Sequence, residues 1–284
     1  MPARSREVTV AAQPSAVRFH AKRAVRNIFS WVSLARLGVL VLLIVLWQLV
    51  SLQVGSLWVS TPAAVVTRFG ILIGDGSLLS NTLVTLQEAV LGLIFGTVIG
   101  LVAGILIARS PRMVSSALDP FILAAYSLPR VALAPFFVLW FGIGLTSKIA
   151  LVVSVVGFVV LLNVRQGIEA TDPVMLDALR SMRATRMQIV RFVIIPSVVP
   201  WLMAAIKISV GMALVSAVVG ELIGSTEGLG WYMTQEMNQF DITGGIVALI
   251  TMAVLAMVIY AIAGLVERWL TRWQVAGIAT TVAM

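Results

Sequence analysis

Apolar runs of about twenty residues recur along this chain, and they restrict it to folds in which helices cross a bilayer. The first run is Leu37 to Val54, the second Thr82 to Ala108 and the third Leu118 to Phe141. A short fourth spans Lys148 to Leu162, a fifth Ser197 to Gly220 and a sixth Ile242 to Val266. Pro120, Pro129 and Pro135 interrupt the third, because proline lacks the N–H that a continuous helix needs. The expected fold class is therefore an all-α polytopic membrane protein with about six transmembrane helices. Composition agrees, with 60% hydrophobic and 11% charged residues, against about 25% charged in soluble domains. The net charge of +8 is no nucleic-acid signal, since the basic residues border apolar runs instead of forming one solvated patch.

Several chemistries are excluded at this level. There is no cysteine, and the only histidine is His20, so disulfides, thiolate chemistry and Cys/His metal sites are out. The acids are scattered, with no pair at ligand spacing inside an apolar run, so no metal or cofactor is expected. A membrane enzyme would need a nucleophile and base, or paired acids, at membrane depth, and the sequence offers neither. The phosphate-binding pattern G-x-x-x-x-G-K-[ST] is absent, so the chain is not expected to hydrolyse ATP itself.

Lysine and arginine mark the cytoplasmic side of a membrane protein. Arg4, Arg6, Arg18, Lys22, Arg23, Arg26 and Arg36 precede the first run, Arg109 and Arg112 follow the second, and Arg268 and Arg272 follow the sixth. The segment between the fourth and fifth runs holds Arg165, Arg180, Arg183, Arg186 and Arg191. The alternate connections carry only Arg68 and the boundary residue Lys148, with Glu221, Glu227, Glu236 and Asp241 between the fifth and sixth runs. Both termini and the long polar segment are thus expected in the cytoplasm. This divides the chain into a basic N-terminal tail (1–36), a transmembrane domain (37–272, core 81–268, cytoplasmic loop 163–196) and a C-terminal tail (273–284). The stretch from Lys22 to Arg36 suits an anionic lipid surface. An Arg-rich start also fits a transit peptide, although a cytoplasmic tail is the preferred reading, and the first apolar run begins too late for a cleavable secretory signal.

Within this frame a few segments stand out. From Asn163 to Pro200, arginines at positions 180, 183, 186 and 191 alternate with Leu, Met, Ile and Val until Pro196 ends the run. This is the pattern of a short amphipathic helix shaped to dock on a soluble partner. Gly92, Gly96, Gly100 and Gly104 form a four-residue ladder, which permits close approach of a helix within the chain or of a second copy. In the third run, Pro129 and Pro135 bracket Arg130, and irregular backbone at membrane depth is tolerated where it lines a cavity or is buried. Arg130 either attracts an anionic solute or pairs with an acid such as Glu88 or Glu221. Lys207 is a second intramembrane cation, able to contact solute or to snorkel. Gly228 and Gly230 mark a turn, and Trp231 and Tyr232 begin an aromatic helix that reads either as an outer gate or as an interfacial helix.

D-A-L-R-S-M-R-A-T-R-M-Q-I-V-R-F-V-I-I-P resembles the EAA loop of ABC importer permeases, with Asp177, Ala178 and Leu179 at the E-A-A positions and Ile195-Pro196 at L-P. Arg183 stands where that family has its turn-forming glycine. L-P-R-V-A-L-A-P-F-F-V-L-W-F-G-I-G and V-V-G-E-L-I-G-S-T-E-G-L-G are similar to the nitrate, sulfonate and taurine branch, and the resemblance runs from about Asn81 to Arg272. It implies a type I importer permease fold in the bacterial inner membrane, usually a homodimer. It further implies a cytoplasmic ATPase that binds ATP and Mg, and an extracytoplasmic substrate-binding protein. The ATPase would be engaged through Asp177, Ala178, Leu179, Arg180, Met182, Arg183, Arg186 and Pro196. Pathway candidates are Pro129, Arg130, Pro135, Lys207 and Glu221, and outer-gate candidates are Gly228, Gly230, Trp231 and Tyr232. The expected solute is a small organic anion such as a sulfonate, taurine, nitrate or an aromatic carboxylate. A thiamine-precursor pyrimidine or riboflavin is the alternative, and an ion-coupled secondary transporter is the alternative of another class.

Overall fold

Glycine lets two helices at the centre of the fold approach closely. In the computed structural model, which describes residues 16–55 and 58–271, the four-residue glycine ladder falls along one face of helix α3 (Ser77–Arg109). That face lies against α6 (Leu145–Glu169) so closely that a Cβ on Gly96 would come 2.7 Å from the Val156 Cβ, and one on Gly100 would run into the Gly157 carbonyl. The ladder therefore serves packing within one chain. Val152, Val156, Val160 and Val164 of α6 recur every four residues and are fully buried against it.

Helix α6 also packs on α9 (Ile195–Gly224), which buries Val210, Ala213, Leu214 and Ala217. Helices α3, α6 and α9 form the centre of the unit spanning residues 63–284. Around them lie α2 (Pro62–Gly74), α4 (Arg112–Ser127), α5 (Ala134–Phe141), α7 (Pro173–Ser181), α8 (Arg186–Ile189), α10 (Leu229–Asn238) and α11 (Ile242–Leu270). The first unit holds α1 (Ala16–Val54), whose apolar surface from Leu37 onward is largely exposed, as suits a helix solvated by lipid. Within that unit the Trp47 indole N–H donates to the Ser60 carbonyl at 2.9 Å. Residues 1–15, 56–57 and 272–284, including Arg4, Arg6, Arg272 and the C-terminal tail, lie outside the described residues.

Five of the described helices are long and apolar enough to cross a membrane, and α4 with the following helical segment makes a sixth if that bent pair is one span. The bend of 81° falls at Leu128–Pro129. Two of the three prolines expected to break this run do not. Pro120 lies inside α4, where it deprives only the Ser116 carbonyl of its N–H partner. Pro135 occupies the first turn of α5, where the missing N–H would be unpaired in any case.

Two other boundaries differ from the sequence pattern. The fourth span begins at Leu145 and runs 25 residues, because Lys148 is buried and paired and does not mark an edge. Pro196 does not stop the polar segment either. Residues Val190–Ile194 form a wider π turn in which the Ile195 N–H reaches the Val190 carbonyl. Pro196 then sits in the first turn of α9, so the helix passes from the loop into the membrane without a break.

Candidate functional site

Arg130 opens a 3-10 turn (Arg130–Leu133) directly after the bend at Pro129. The break supplies an acceptor as well as a position, since the Arg130 guanidinium donates to the Ala125 carbonyl at 3.1 Å. Its cationic carbon lies 4.5 Å from the ring centre of Phe158 and 5.4 Å from that of Tyr126, within cation–π range of both. Among the described residues no carboxylate pairs with it. Arg130 faces a cavity of about 580 Å³ whose other walls include Leu151, Val155, Ile208, Met212 and Ser216. One cation in an apolar chamber can hold the anionic end of a solute and shelter an apolar body beside it.

The acids considered as partners of Arg130 are engaged elsewhere. Lys148 Nζ lies 2.6 Å from Glu88 Oε1 and donates to Ser225 Oγ at 2.6 Å. Glu221 is buried and accepts from Thr85 Oγ1 at 2.6 Å and from the Gly230 N–H at 2.5 Å. Lys207 pairs with Glu267 of α11 and is not part of the Arg130 chamber. Of the two intramembrane cations singled out from the sequence, only Arg130 faces the cavity.

The segment before α10 is fastened to α3 and α9 by its own backbone. The Gly228 N–H donates to Asn81 Oδ1 at 2.8 Å and the Leu229 N–H to Thr85 Oγ1 at 2.8 Å. Gly228 has φ +106°, and a Cβ on Gly230 would stand 2.8 Å from the Val218 carbonyl, so both positions need glycine. Trp231 is half-buried and Tyr232 buried. Arg68 reaches across from α2 to Glu236 at 3.0 Å and to Asp241 at 2.9 Å. Asn81, Thr85 and Lys148 were missed from sequence. Asn81, Thr85 and Glu88 continue the glycine face toward the N-terminus of α3, and that polar extension was the available signal.

The polar loop folds as two short helices joined by a tight turn. Asp172 caps α7, its Oδ1 accepting from the Val174 N–H at 2.8 Å, and Pro173 follows at the first helical position. Asp177 and Arg180 pair on its surface at 3.0 Å. The helix ends in a Schellman turn, with the Arg183 N–H on the Arg180 carbonyl and the Ala184 N–H on the Leu179 carbonyl. Arg183 occupies the left-handed position, φ +59°, normally given to glycine. Thr185 and Gln188 then form a capping box that starts α8. Val174, Met175, Met182 and Met187 are exposed beside Arg180, Arg183 and Arg186, leaving an apolar and basic face.

Residues 96–272 match the family described as binding-protein-dependent transport system inner membrane component. The chain is 33% identical over 248 residues to the riboflavin transport system permease protein RibX of Chloroflexus aurantiacus, covering 87% of this chain and 92% of that one. It is 31% identical over 241 residues to the taurine transport system permease protein TauC of Escherichia coli, covering 82% and 87%. Its fold is shared with a chain of the inward-facing MetNI methionine ABC transporter, with a TM-score of 0.59 and 24% identity over 68% of this chain and 95% of that one.

Proposed function

We propose a transport role that follows from one premise: the chain belongs to the family of binding-protein-dependent transport system inner membrane components. It is a multi-pass inner-membrane permease subunit of an ABC importer and is itself non-catalytic. Membership sets aside the ion-coupled secondary transporter.

In this reading the loop of α7 and α8 is the coupling element. Its exposed methionines and arginines enter a cleft of a cytoplasmic ATPase, with Asp177, Ala178, Leu179, Arg180, Met182, Arg183 and Arg186 at the contact. Because α8 runs through the π turn and Pro196 into α9, a push on the loop reaches the wall of the Arg130 chamber along one helix. Two copies form the pathway, and an extracytoplasmic binding protein delivers solute to the side held by Gly228 to Tyr232.

The solute is a small organic anion. The single observation that carries this is Arg130, unpaired by any described carboxylate and facing a mostly apolar cavity. A sulfonate or carboxylate with an apolar body uses both features, whereas nitrate leaves the chamber mostly empty. Riboflavin or a pyrimidine is the second reading, supported by the similarity to a riboflavin permease.

The test is purification of the tagged chain from mild detergent, followed by ATP-driven uptake in liposomes. A co-purifying P-loop ATPase, and uptake of an organic anion that Arg130→Gln reduces about tenfold or more in an assembled complex, is the expected result. Unchanged anion uptake by Arg130→Gln overturns the solute assignment. ATPase retained at full level after Arg183 and Arg186 are both replaced by Glu overturns the coupling assignment.

A further inference from the structure

A second cavity, of about 340 Å³, lies between the ends of α3, α6 and α9 nearest the arginine-rich loop. Leu101, Ile105 and Arg109 line it at four-residue spacing along α3, and Ile168 closes it from α6. The remaining wall, from Val190 through Ile194 to Leu202, is the π turn and the start of α9. Apart from Arg109 the lining side chains are wholly aliphatic. Arg109 is the last residue of α3, exposed, and among the described residues no carboxylate pairs with it. Asp119 and Glu169 are both held by Arg165. Its lining shares no residue with that of the Arg130 chamber.

The chemistry of the lining selects an occupant. A deep aliphatic slot with one cation at its rim fits an amphiphile whose anionic head follows an unbranched hydrocarbon tail. The rim lies at the arginine-rich end of the spans, the level at which lipid phosphates meet a membrane protein. The π turn contributes Val190 and Ile194 to the wall, and π turns inside α-helices are frequent at functional sites. We infer that this cavity is a binding site for one acyl chain of an anionic glycerophospholipid of the adjacent leaflet, with its phosphate held by Arg109. A lipid seated there touches the helix that carries the loop into the membrane, so occupancy bears on how the loop and α9 move together.

The experiment is native mass spectrometry of the full-length chain released from its own membrane in mild detergent. Its companion is delipidation followed by titration with phosphatidylglycerol or with phosphatidylcholine. The expected result is about one phosphatidylglycerol retained per chain, displaced far less readily than phosphatidylcholine, and weakened about fivefold in Arg109→Gln, the factor one charge carries at an anionic surface. Ile105→Trp, which fills the slot and leaves the arginine in place, is expected to remove retention of both lipids. Retention unchanged in both variants overturns the site. Retention lost in Ile105→Trp but equal for the two headgroups in the unaltered chain overturns the assigned role of Arg109. Because Arg109 is exposed, Arg109→Gln is expected to fold normally, and thermal unfolding of each variant confirms that a changed retention is not a changed fold.

Discussion

Lys148 Nζ of α6 lies 2.6 Å from Glu88 Oε1 of α3, and both side chains are almost completely removed from solvent, at 4% and 1% exposure. The pair joins the two helices that the glycine ladder brings together, and Ser225 completes the ammonium's contacts at the end of α9. One buried ion pair thus ties three spans at the level where the Gly228 to Tyr232 segment is fastened.

Removing one partner of a buried pair leaves an uncompensated charge, a loss of about 3–5 kcal/mol, whereas replacing both by apolar groups is near neutral. Lys148→Met is therefore expected to lower the thermal stability of the purified protein sharply, and adding Glu88→Met to restore most of it. A double variant as unstable as the single one would show that the lysine acts through something other than Glu88.

The glycine ladder yields a second pair of expectations. Gly100→Ala drives a methyl group into the Gly157 carbonyl, which is backbone and cannot rotate away. The cost is at least the about 1–3 kcal/mol typical of overpacking. Gly264→Ala on α11 meets nothing within 4 Å and should be neutral or slightly stabilising. Size-exclusion profiles and unfolding temperatures of the two variants check this contrast.

These packing relations mark how far the sequence could be read. Spans were legible because apolar length is a direct physical requirement of the bilayer, and the short exposed helices of the polar segment because its arginines alternate with apolar residues. The caps that bound them, Asp172 and Thr185 with Gln188, went unread. Proline was read too literally. A break needs a deprived carbonyl and also no alternative geometry, and the π turn before Pro196 and the first-turn location of Pro135 both supply one. Lys148 was misplaced because a lone cation ending an apolar run looks like a boundary until its partner, sixty residues away in sequence, is seen. Pairing over such distances has no local signature.

Arg183 bears on the loop itself. A left-handed backbone costs a residue with a side chain about 1–2 kcal/mol relative to glycine. Arg183→Gly should therefore strengthen the turn, seen as slower amide exchange over 173–190, while Arg183→Val should loosen it. If the guanidinium also contacts the ATPase, the glycine variant will exchange more slowly yet bind ATPase less well. Faster exchange in Arg183→Gly would sink the strain argument.

Asp241 gives a pH dependence with a definite sign. Burial pushes its carboxyl pKa up, but the Gly244 N–H and the Arg68 guanidinium hold it below the ordinary 3.8. A carboxyl lowered on folding contributes stability above its unfolded pKa and loses it as pH falls through the lower, folded value. Asp241→Asn keeps a helix cap but not the ion pair with Arg68. The gap in unfolding temperature between the original protein and Asp241→Asn should hold steady from about pH 8 to 5 and close below about pH 4. A gap that narrows already between pH 8 and 6 would assign the effect to another group.

If the Arg130 chamber receives the solute, it should discriminate between sulfonates of equal length. Its lining offers one cation, the Ser216 hydroxyl and no carboxylate, and the aromatic faces of Tyr126 and Phe158 are already turned to the guanidinium. A solute's ammonium would be desolvated there without a partner, which is costly in a mostly apolar site. An alkanesulfonate should therefore be carried better than the aminoalkanesulfonate of the same length when the two are delivered at equal occupancy. Arg130→Gln should reduce uptake of the alkanesulfonate about tenfold or more, the loss expected for a hydrogen bond to a charged group, and should erase most of the difference between the two solutes. Arg130→Lys keeps the charge but not the planar stacking on Phe158, so its uptake should fall between the two. Uptake of the aminoalkanesulfonate above that of its unaminated analogue would mean that the ammonium finds an acid in the assembled pathway, and the chamber's single-cation chemistry would no longer describe the solute.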